Sequence, residues 1–356
     1  MTEYDLAGLG WNEEFQAAFA LHETDGLVPG RVAVQHRGGY RLYTELGEVP
    51  AELAGRYRHE AGWRTGLLPA VGDWVAARPH DSGAVIVDVL PRRTHFSRKA
   101  ALSVAEQQVI AANVDTVFLV GALGREFRAG FLRRLERYLT LGWESGARPV
   151  VILTKTDLCE DVTEIVADVE SVAFGVPVHA VSNLSGDGVD ELAQYLGYGE
   201  TVALLGSSGV GKSTLINRLC GREVLATQDV RDDGIGRHTT THRELVLLPA
   251  GGLLLDTPGM RELQLWDGAE GMSEAFGDVD SIAAECRFAD CAHLAEPGCA
   301  VQAAVAEGTL AEDRFDSWRK LQSELARLER RQNQRLRAEV TKEYRRRTRA
   351  MRTDKY

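Results

Sequence analysis

The run Thr201-Val202-Ala203-Leu204-Leu205-Gly206-Ser207-Ser208-Gly209-Val210-Gly211-Lys212-Ser213-Thr214 sets a short apolar strand against a glycine-rich loop of the pattern GxxxxGK[ST]. Leu215 to Leu219 then continue it as a helix. Glycines at these steps let successive backbone N–H groups turn towards phosphate oxygens, and the helix that follows adds its positive N-terminal end. In this pattern Lys212 reaches the β- and γ-oxygens and Ser213 ligates Mg2+. A strand before and a helix after make the reading specific: a nucleoside triphosphate site in a parallel α/β sheet.

Downstream, Leu253-Leu254-Leu255-Asp256-Thr257-Pro258-Gly259 is an apolar strand that delivers a carboxylate and then a glycine. An Asp at such a strand end holds the Mg2+ shell, and the Gly259 N–H meets the γ-phosphate. Base identity is written upstream. Thr154-Lys155-Thr156-Asp157 follows the strand Val150 to Leu153, where GTPases carry NKxD. Asp157 can accept from guanine N1–H and the 2-amino group, a donor pair adenine lacks, while Thr154 puts a hydroxyl in place of the usual Asn. As a lone tetrapeptide it would also read as a helix cap, since Asp ahead of a helix does that job. Ser182 and Asn183, after one more strand, fall where GTPases place a loop against the guanine oxygen. The guanine motifs thus precede the phosphate loop, and Asp256 comes last. The order is that of a circularly permuted GTPase domain.

Strand candidates Val114 to Val120, Val150 to Leu153, Val176 to Val181 and Thr201 to Leu205 alternate with helical patterns, which predicts a mainly parallel sheet covered on both faces. Leu245 to Leu248 and Leu253 to Leu255 read as a hairpin around Pro249 to Gly252. Between Arg31 and Leu90 the period falls to two, with turns at Gly38-Gly39 and His80 to Gly83, and about five short strands suggest a small β-barrel. Periodicity leaves open whether it is of the oligonucleotide-binding or the SH3-like kind. Residues 1–26, with Trp11, Phe15 and Phe19, read as a lead-in, and Pro91 to Lys99 as a basic connector. The expected division is 1–26 lead-in, 27–98 barrel, 99–280 permuted G domain, 281–328 metal module with a packing helix, and 329–356 basic tail.

With 356 residues, 44% hydrophobic and 26% charged, the chain has the length of two or three globular domains. No apolar run reaches the ~18 residues of a membrane span. No Lys or Arg precedes Arg31, so a secretory start is not expected and a cytoplasmic location is. The net charge of -11 is uneven: residues 314–356 hold 15 Lys and Arg against 6 Asp and Glu, which leaves the first 313 residues at -20. A basic end on an acidic body suits contact with a polyanion such as RNA. Of five cysteines, Cys159 and Cys220 read as core thiols. Cys286, Cys291, His293 and Cys299 instead offer three thiolates and an imidazole within 14 residues, enough for one closed, structural Zn2+ site. Beyond it Phe315, Trp318, Leu321, Leu325 and Leu328 form the stripe of a packing helix, and Arg345 to Arg349 dominate the end.

Barrel, permuted motifs, Gly236-Arg237-His238-Thr239-Thr240-Thr241 and the Cys286 to Val301 segment together resemble the RsgA-type GTPases over nearly the whole chain. The resemblance implies an N-terminal oligonucleotide-binding barrel, a permuted G domain, a C-terminal zinc module, and a role in maturation of the small ribosomal subunit. It implies slow GTP hydrolysis stimulated by that subunit, with the GTP form bound and hydrolysis favouring release. Met260 stands directly after Gly259, where many GTPases carry a water-orienting Gln, and a thioether cannot do that work. The resemblance points to His238 as the catalytic group instead, and switch-loop logic points to Thr240 as an Mg2+ ligand alongside Ser213 and Asp256. The expected partners are the small subunit's RNA and proteins, with GTP and GDP; a monomer without membrane contact is expected. Two rivals are an RNA-binding assembly factor with a merely structural nucleotide, and an ATP-using P-loop kinase, against which Asp157 argues.

Overall fold

A computed structural model describes residues 4–36, 39–55, 68–99, 107–124, 131–223, 243–256, 269–294 and 296–330. Among these, no helix is long and apolar enough to cross a membrane. Asn12 opens helix α1 (Glu13–Phe19), its side chain accepting from the Phe15 N–H at 3.1 Å. Strands β1 (Val28–Gln35), β2 (Tyr40–Thr44), β3 (Gly47–Leu53), β4 (Trp74–His80) and β5 (Gly83–Val89) follow. They close a ring in the order β1-β2-β3-β5-β4 and back to β1, antiparallel except for β3 beside β5. That five-stranded Greek-key closure is the oligonucleotide-binding barrel, and it settles the choice that periodicity left open.

The lead-in is more than that. Leu9, Phe15 and Phe19 are buried, and Trp11 lies edge-on to the fully buried Trp74 with centroids 4.7 Å apart. These residues pack with Ala33, Trp74 and Ala76 in the cluster that continues into the second sheet, apart from the barrel's own cluster of Val32, Leu42, Val75, Ala77 and Ile86. Likewise the basic connector carries β6 (His95–Lys99), which pairs with β7 (Gln107–Ala112) in a two-stranded ribbon; Phe96 faces inward among the charges. Cys220 is buried as expected, whereas Cys159 is half-exposed at the end of a short turn.

The second layer is a sheet in the order β10 (Val178–Ala180), β9 (Arg148–Thr154), β8 (Thr116–Ala122), β11 (Thr201–Leu205), β13 (Leu253–Asp256), β12 (Arg243–Leu247). All neighbours run parallel except β12 against β13, which form the expected hairpin. Alternate residues of the central strands serve opposite faces, so both must be covered. Val117, Leu119, Val151, Leu153, Ala203 and Leu205 pack with Leu135 and Leu139 of α2 (Phe131–Glu144) and Ile165 and Val169 of α3 (Val162–Glu170). Phe118, Val120, Ile152 and Leu204 pack with Leu215 and Ile216 of α4 (Lys212–Cys220).

Barrel and sheet share a strand. One edge of β1 pairs with β2, and its other edge is divided, Val28 to Arg31 going to β4 and Val34 with Gln35 going to β12. The fully buried Arg31 pins this seam, donating to the carbonyls of Leu9, Asn113 (2.9 Å) and Gly72 (3.4 Å) and to Thr201 Oγ1 at 2.8 Å. Burial lowers its pKa to about 10, against the favourable charges of Asp115 and Asp73, and the guanidinium stays charged at neutral pH.

Past the sheet come α5 (Ala269–Ala275), α6 (Gly277–Ala283), α7 (Ala300–Glu307) and α8 (312–330). The α8 stripe lies where the three- and four-residue spacing put it, with Phe315, Trp318 and Leu321 buried. A second buried arginine closes this seam. Arg314 of α8 makes a bidentate pair with Asp278 at 2.6 Å, donates to Glu136 of α2 at 3.0 Å and to the Ala275 carbonyl at 2.9 Å.

Candidate functional site

The phosphate loop spans 206–211 between β11 and α4, so it ends at a helix N-terminus as the pattern requires. Gly211 caps α4 in the left-handed region (φ 91°), and a Cβ there would lie 2.8 Å from Asn183 Nδ2. Only glycine allows both the turn and the approach. Ser207 and Ser213 are partly buried, while Ser208, Gly209 and Thr214 face out. The Lys212 ammonium folds over the loop and donates to the carbonyls of Gly206 (2.8 Å) and Ser207 (2.7 Å). It therefore sits over the hollow that a phosphate would fill. Strand β13 lies next to β11, pairing Ala203 with Leu255, which sets Asp256 at the same end of the sheet as the loop.

The upstream motifs converge on this loop from the far side of β8. Thr154 ends β9, is fully buried, and its hydroxyl lies 2.6 Å from the Val210 carbonyl and 3.2 Å from that of Gly121. Asn183 donates through Nδ2 to the Gly211 carbonyl at 3.0 Å. Two short polar side chains thus bind the loops after β9 and β10 to consecutive carbonyls of the 206–211 loop. Asp157 is exposed, and Ser182 Oγ donates to its Oδ1 at 2.6 Å. The competing cap reading fails, because α3 is capped by Asp161, which accepts from the Glu164 N–H at 3.1 Å. Lys155 takes the left-handed conformation (φ 61°), and Thr156 is held by its N–H to the Val181 carbonyl. The pattern did not announce one contributor: Arg218 of α4 reaches the carbonyls of Asn183, Leu184 and Ser185.

The four metal-ligand candidates also meet. Ligating atoms of Cys286, Cys291, His293 and Cys299 all lie within 4.8 Å of one another. Cys286 Sγ and Cys299 Sγ are each 3.5 Å from His293 Nδ1 and 3.9 Å from each other. With Zn–S near 2.3 Å and Zn–N near 2.0 Å, a tetrahedral ion needs edges of about 3.8 Å (S–S) and about 3.5 Å (S–N). The cluster therefore fits Zn2+. Cys299 caps α7, accepting from the Gln302 N–H at 3.4 Å, so the positive end of that helix faces the thiolates. His293 adopts φ 56°, and its carbonyl accepts from Gln302 Nε2 at 2.7 Å.

His238, Thr240, Gly259 and Met260 lie outside the described residues, as do 331–356 of the basic tail.

The sequence profile described as RsgA GTPase matches residues 89–266, and one described as 50S ribosome-binding GTPase matches residues 201–334. The small ribosomal subunit biogenesis GTPase RsgA of Opitutus terrae is 48% identical over 333 residues, 90% of each chain. The protein of that name from Streptomyces avermitilis is 45% identical over 97% of this chain and 92% of its own. Among solved structures, YjeQ from Thermotoga maritima superposes with a TM-score of 0.62 at 28% identity, over 84% of this chain and 99% of its own. YloQ, described as a circularly permuted GTPase, gives 0.58 at 25% identity over 84% and 95%.

Proposed function

This chain belongs to the RsgA GTPase family and is a GTPase of small ribosomal subunit biogenesis, and from that premise we propose that the small subunit stimulates its turnover while GTP times its binding and release. The observation that carries the site assignment is the convergence of Thr154 and Asn183 on the carbonyls of Val210 and Gly211, with Ser182 aiming Asp157. Residues 28 and 56 positions apart in sequence are thereby tied to one loop.

In this reading residues 206–214 hold the triphosphate, Lys212 exchanging its loop carbonyls for phosphate oxygens. Asp157 accepts from guanine N1–H and the 2-amino group, with Ser182 fixing its rotamer and Thr154, Lys155, Thr156 and Asn183 shaping the pocket. Ser213, Thr240 and Asp256 hold Mg2+, which when bound neutralises charge on the β- and γ-phosphates. Gly259 meets the γ-phosphate, and His238 as neutral imidazole orients the attacking water. Cys286, Cys291, His293 and Cys299 hold one structural Zn2+ that folds the module against α8. Barrel, zinc module and basic tail supply the RNA and protein contacts of a cytoplasmic monomer.

The test is GTP and ATP turnover by the purified chain, alone and with small or large ribosomal subunits. Stimulation of GTP turnover by small subunits alone is expected. Stimulation by large subunits instead, or by neither, overturns the proposed activation. At the base, Asp157→Asn trades a carboxylate oxygen for an NH2 group, which suits the 2-oxo group of xanthine. Preference should pass from GTP to XTP, and an unchanged GTP preference would remove Asp157 from the pocket.

A further inference from the structure

We propose that Arg218 is a positioning residue for guanine selection, a clamp on the phosphate-loop helix that sets the orientation of Asp157 through the 182–186 loop. The inference rests on reading Asp157 and Ser182 as guanine-facing. Arg218 lies on the exposed side of α4, where a long cation would ordinarily be solvated. Instead its guanidinium donates from Nη1 to the carbonyls of Asn183 (2.9 Å) and Leu184 (3.4 Å), and from Nη2 to that of Ser185 at 3.0 Å. A planar guanidinium with its fork of donors can gather successive carbonyls in a way that a compact ammonium cannot.

The gathering has a consequence for the other side of the loop. When carbonyls 183–185 turn towards Arg218, the N–H groups of Leu184 and Ser185 turn away from it, and both donate to Ser182 Oγ, at 3.3 and 3.2 Å. A hydroxyl has two lone pairs and one proton. With both lone pairs engaged, the proton of Ser182 points to its remaining neighbour, Asp157 Oδ1, at 2.6 Å. The route therefore runs from guanidinium to carbonyls, from amides to hydroxyl, and from hydroxyl to carboxylate.

A second residue of the loop is shaped to admit the clamp. Gly186 has φ 100°, and a Cβ there would come 2.0 Å from Arg218 Nη2. Any side chain at 186 would both strain the backbone and expel the guanidinium. Asn183 ties the same loop to Gly211 at the start of α4, so the loop is fastened to that helix at both ends of a span of about 10 Å, seven residues at about 1.5 Å each. Helix α4 thereby places the phosphate loop and the base-reading carboxylate with one rigid rod.

The experiment measures kcat and KM for GTP, ITP and ATP on the full-length chain and on Arg218→Ala, Arg218→Lys and Gly186→Ala. ITP lacks the 2-amino group, so the GTP-to-ITP ratio of kcat/KM reads the geometry at Asp157. Arg218→Ala should raise KM for GTP about tenfold, equivalent to about 1.4 kcal/mol, lower the GTP-to-ITP ratio and leave kcat near the wild-type value. Gly186→Ala should reproduce that signature with the cation still present, and Arg218→Lys should restore part of the loss. An unchanged KM and GTP-to-ITP ratio in the variants overturns the clamp and leaves guanine recognition standing. So does a fall in kcat at constant KM. A wild-type chain that does not prefer GTP to ATP overturns the guanine reading itself. Should Arg218→Ala fail to fold, Arg218→Lys and Gly186→Ala decide the question by the same two readouts.

Discussion

Among the described residues, Arg31 and Arg314 are buried at two different seams, and they close them with opposite chemistry. Arg31, between barrel and sheet, is held by three carbonyls and a hydroxyl, with no carboxylate among its hydrogen-bond partners. Arg314, between sheet and C-terminal module, is held by Asp278 and Glu136. Burial lowers the Arg31 pKa, whereas Asp278 and Glu136 outweigh the cost of burial at Arg314 and raise its pKa. The first seam is braced by a shared strand and many weak dipoles. The second has no shared strand among the described residues and depends on two full charges. A joint of dipoles fails gradually when one partner goes, while a joint of charges leaves an ion stranded.

The strongest way to break the second seam is from its far side. Replacing Cys299 by Ala removes a ligand and the cap of α7 together, and structural Zn2+ binding in small modules is worth about 10 kcal/mol or more. One equivalent of zinc by elemental analysis is expected in the wild type and less in the variant. Amide exchange should show residues 284–310 losing protection while β8 to β11 keep theirs.

Next in size is the contrast itself. Arg314→Met strands Glu136, which is only 3% exposed, and should cost about 4 kcal/mol in urea unfolding, in the range for breaking one side of a buried ion pair. Arg31→Met strands only carbonyls and a hydroxyl, and about 2 kcal/mol is expected. Equal losses, or a larger loss at Arg31, would erase the distinction between the seams. Adding Glu136→Gln to Arg314→Met should recover much of the larger loss, because the orphan is then neutral.

The smallest effect is a matter of pH. Glu136 is held above the ordinary carboxylate range by burial, against hydrogen bonds from Ser317 and Arg314, with Asp278 adding like charge. The folded chain therefore binds this proton at a higher pH than the unfolded chain does. Its contribution grows as pH falls through the raised pKa and is lost as pH rises through it. The stability difference between wild type and Glu136→Gln should shift in favour of the wild type as the pH is lowered towards 4.5, the ordinary carboxylate value. A shift in the opposite direction would show that pairing with Arg314 outweighs burial.

What the sequence made legible follows from how local each feature is. The phosphate loop, the four metal ligands and the α8 stripe each lie within about 20 residues, and patterns of that span are set by backbone and coordination geometry alone. The barrel's type was out of reach because it depends on β3 meeting β5 and β1 meeting β4, pairings that periodicity does not encode. Residues 1–26 looked peripheral because three aromatics do not reveal that Trp74 awaits them. Arg31, Arg218 and Arg314 carry no local pattern that sets them apart from other arginines. A buried or clamping arginine is defined by its partners, and these lie from 22 to 178 residues away.

The divided edge of β1 also bears on how the chain comes off its own ribosome. All five strands of the barrel have been made by Val89, so the ring can close early, with the Val34-Gln35 edge left open. The central strand β11 has β8 waiting on one side, but its other neighbour, β13, is translated some 50 residues later. The β13 and β12 side of the sheet is therefore the last part to be finished. The finished barrel presents the open edge on which β12, and through it β13, can dock as they emerge. In a chain whose guanine motifs come before its phosphate loop, the barrel can serve as the mould on which the catalytic sheet is cast.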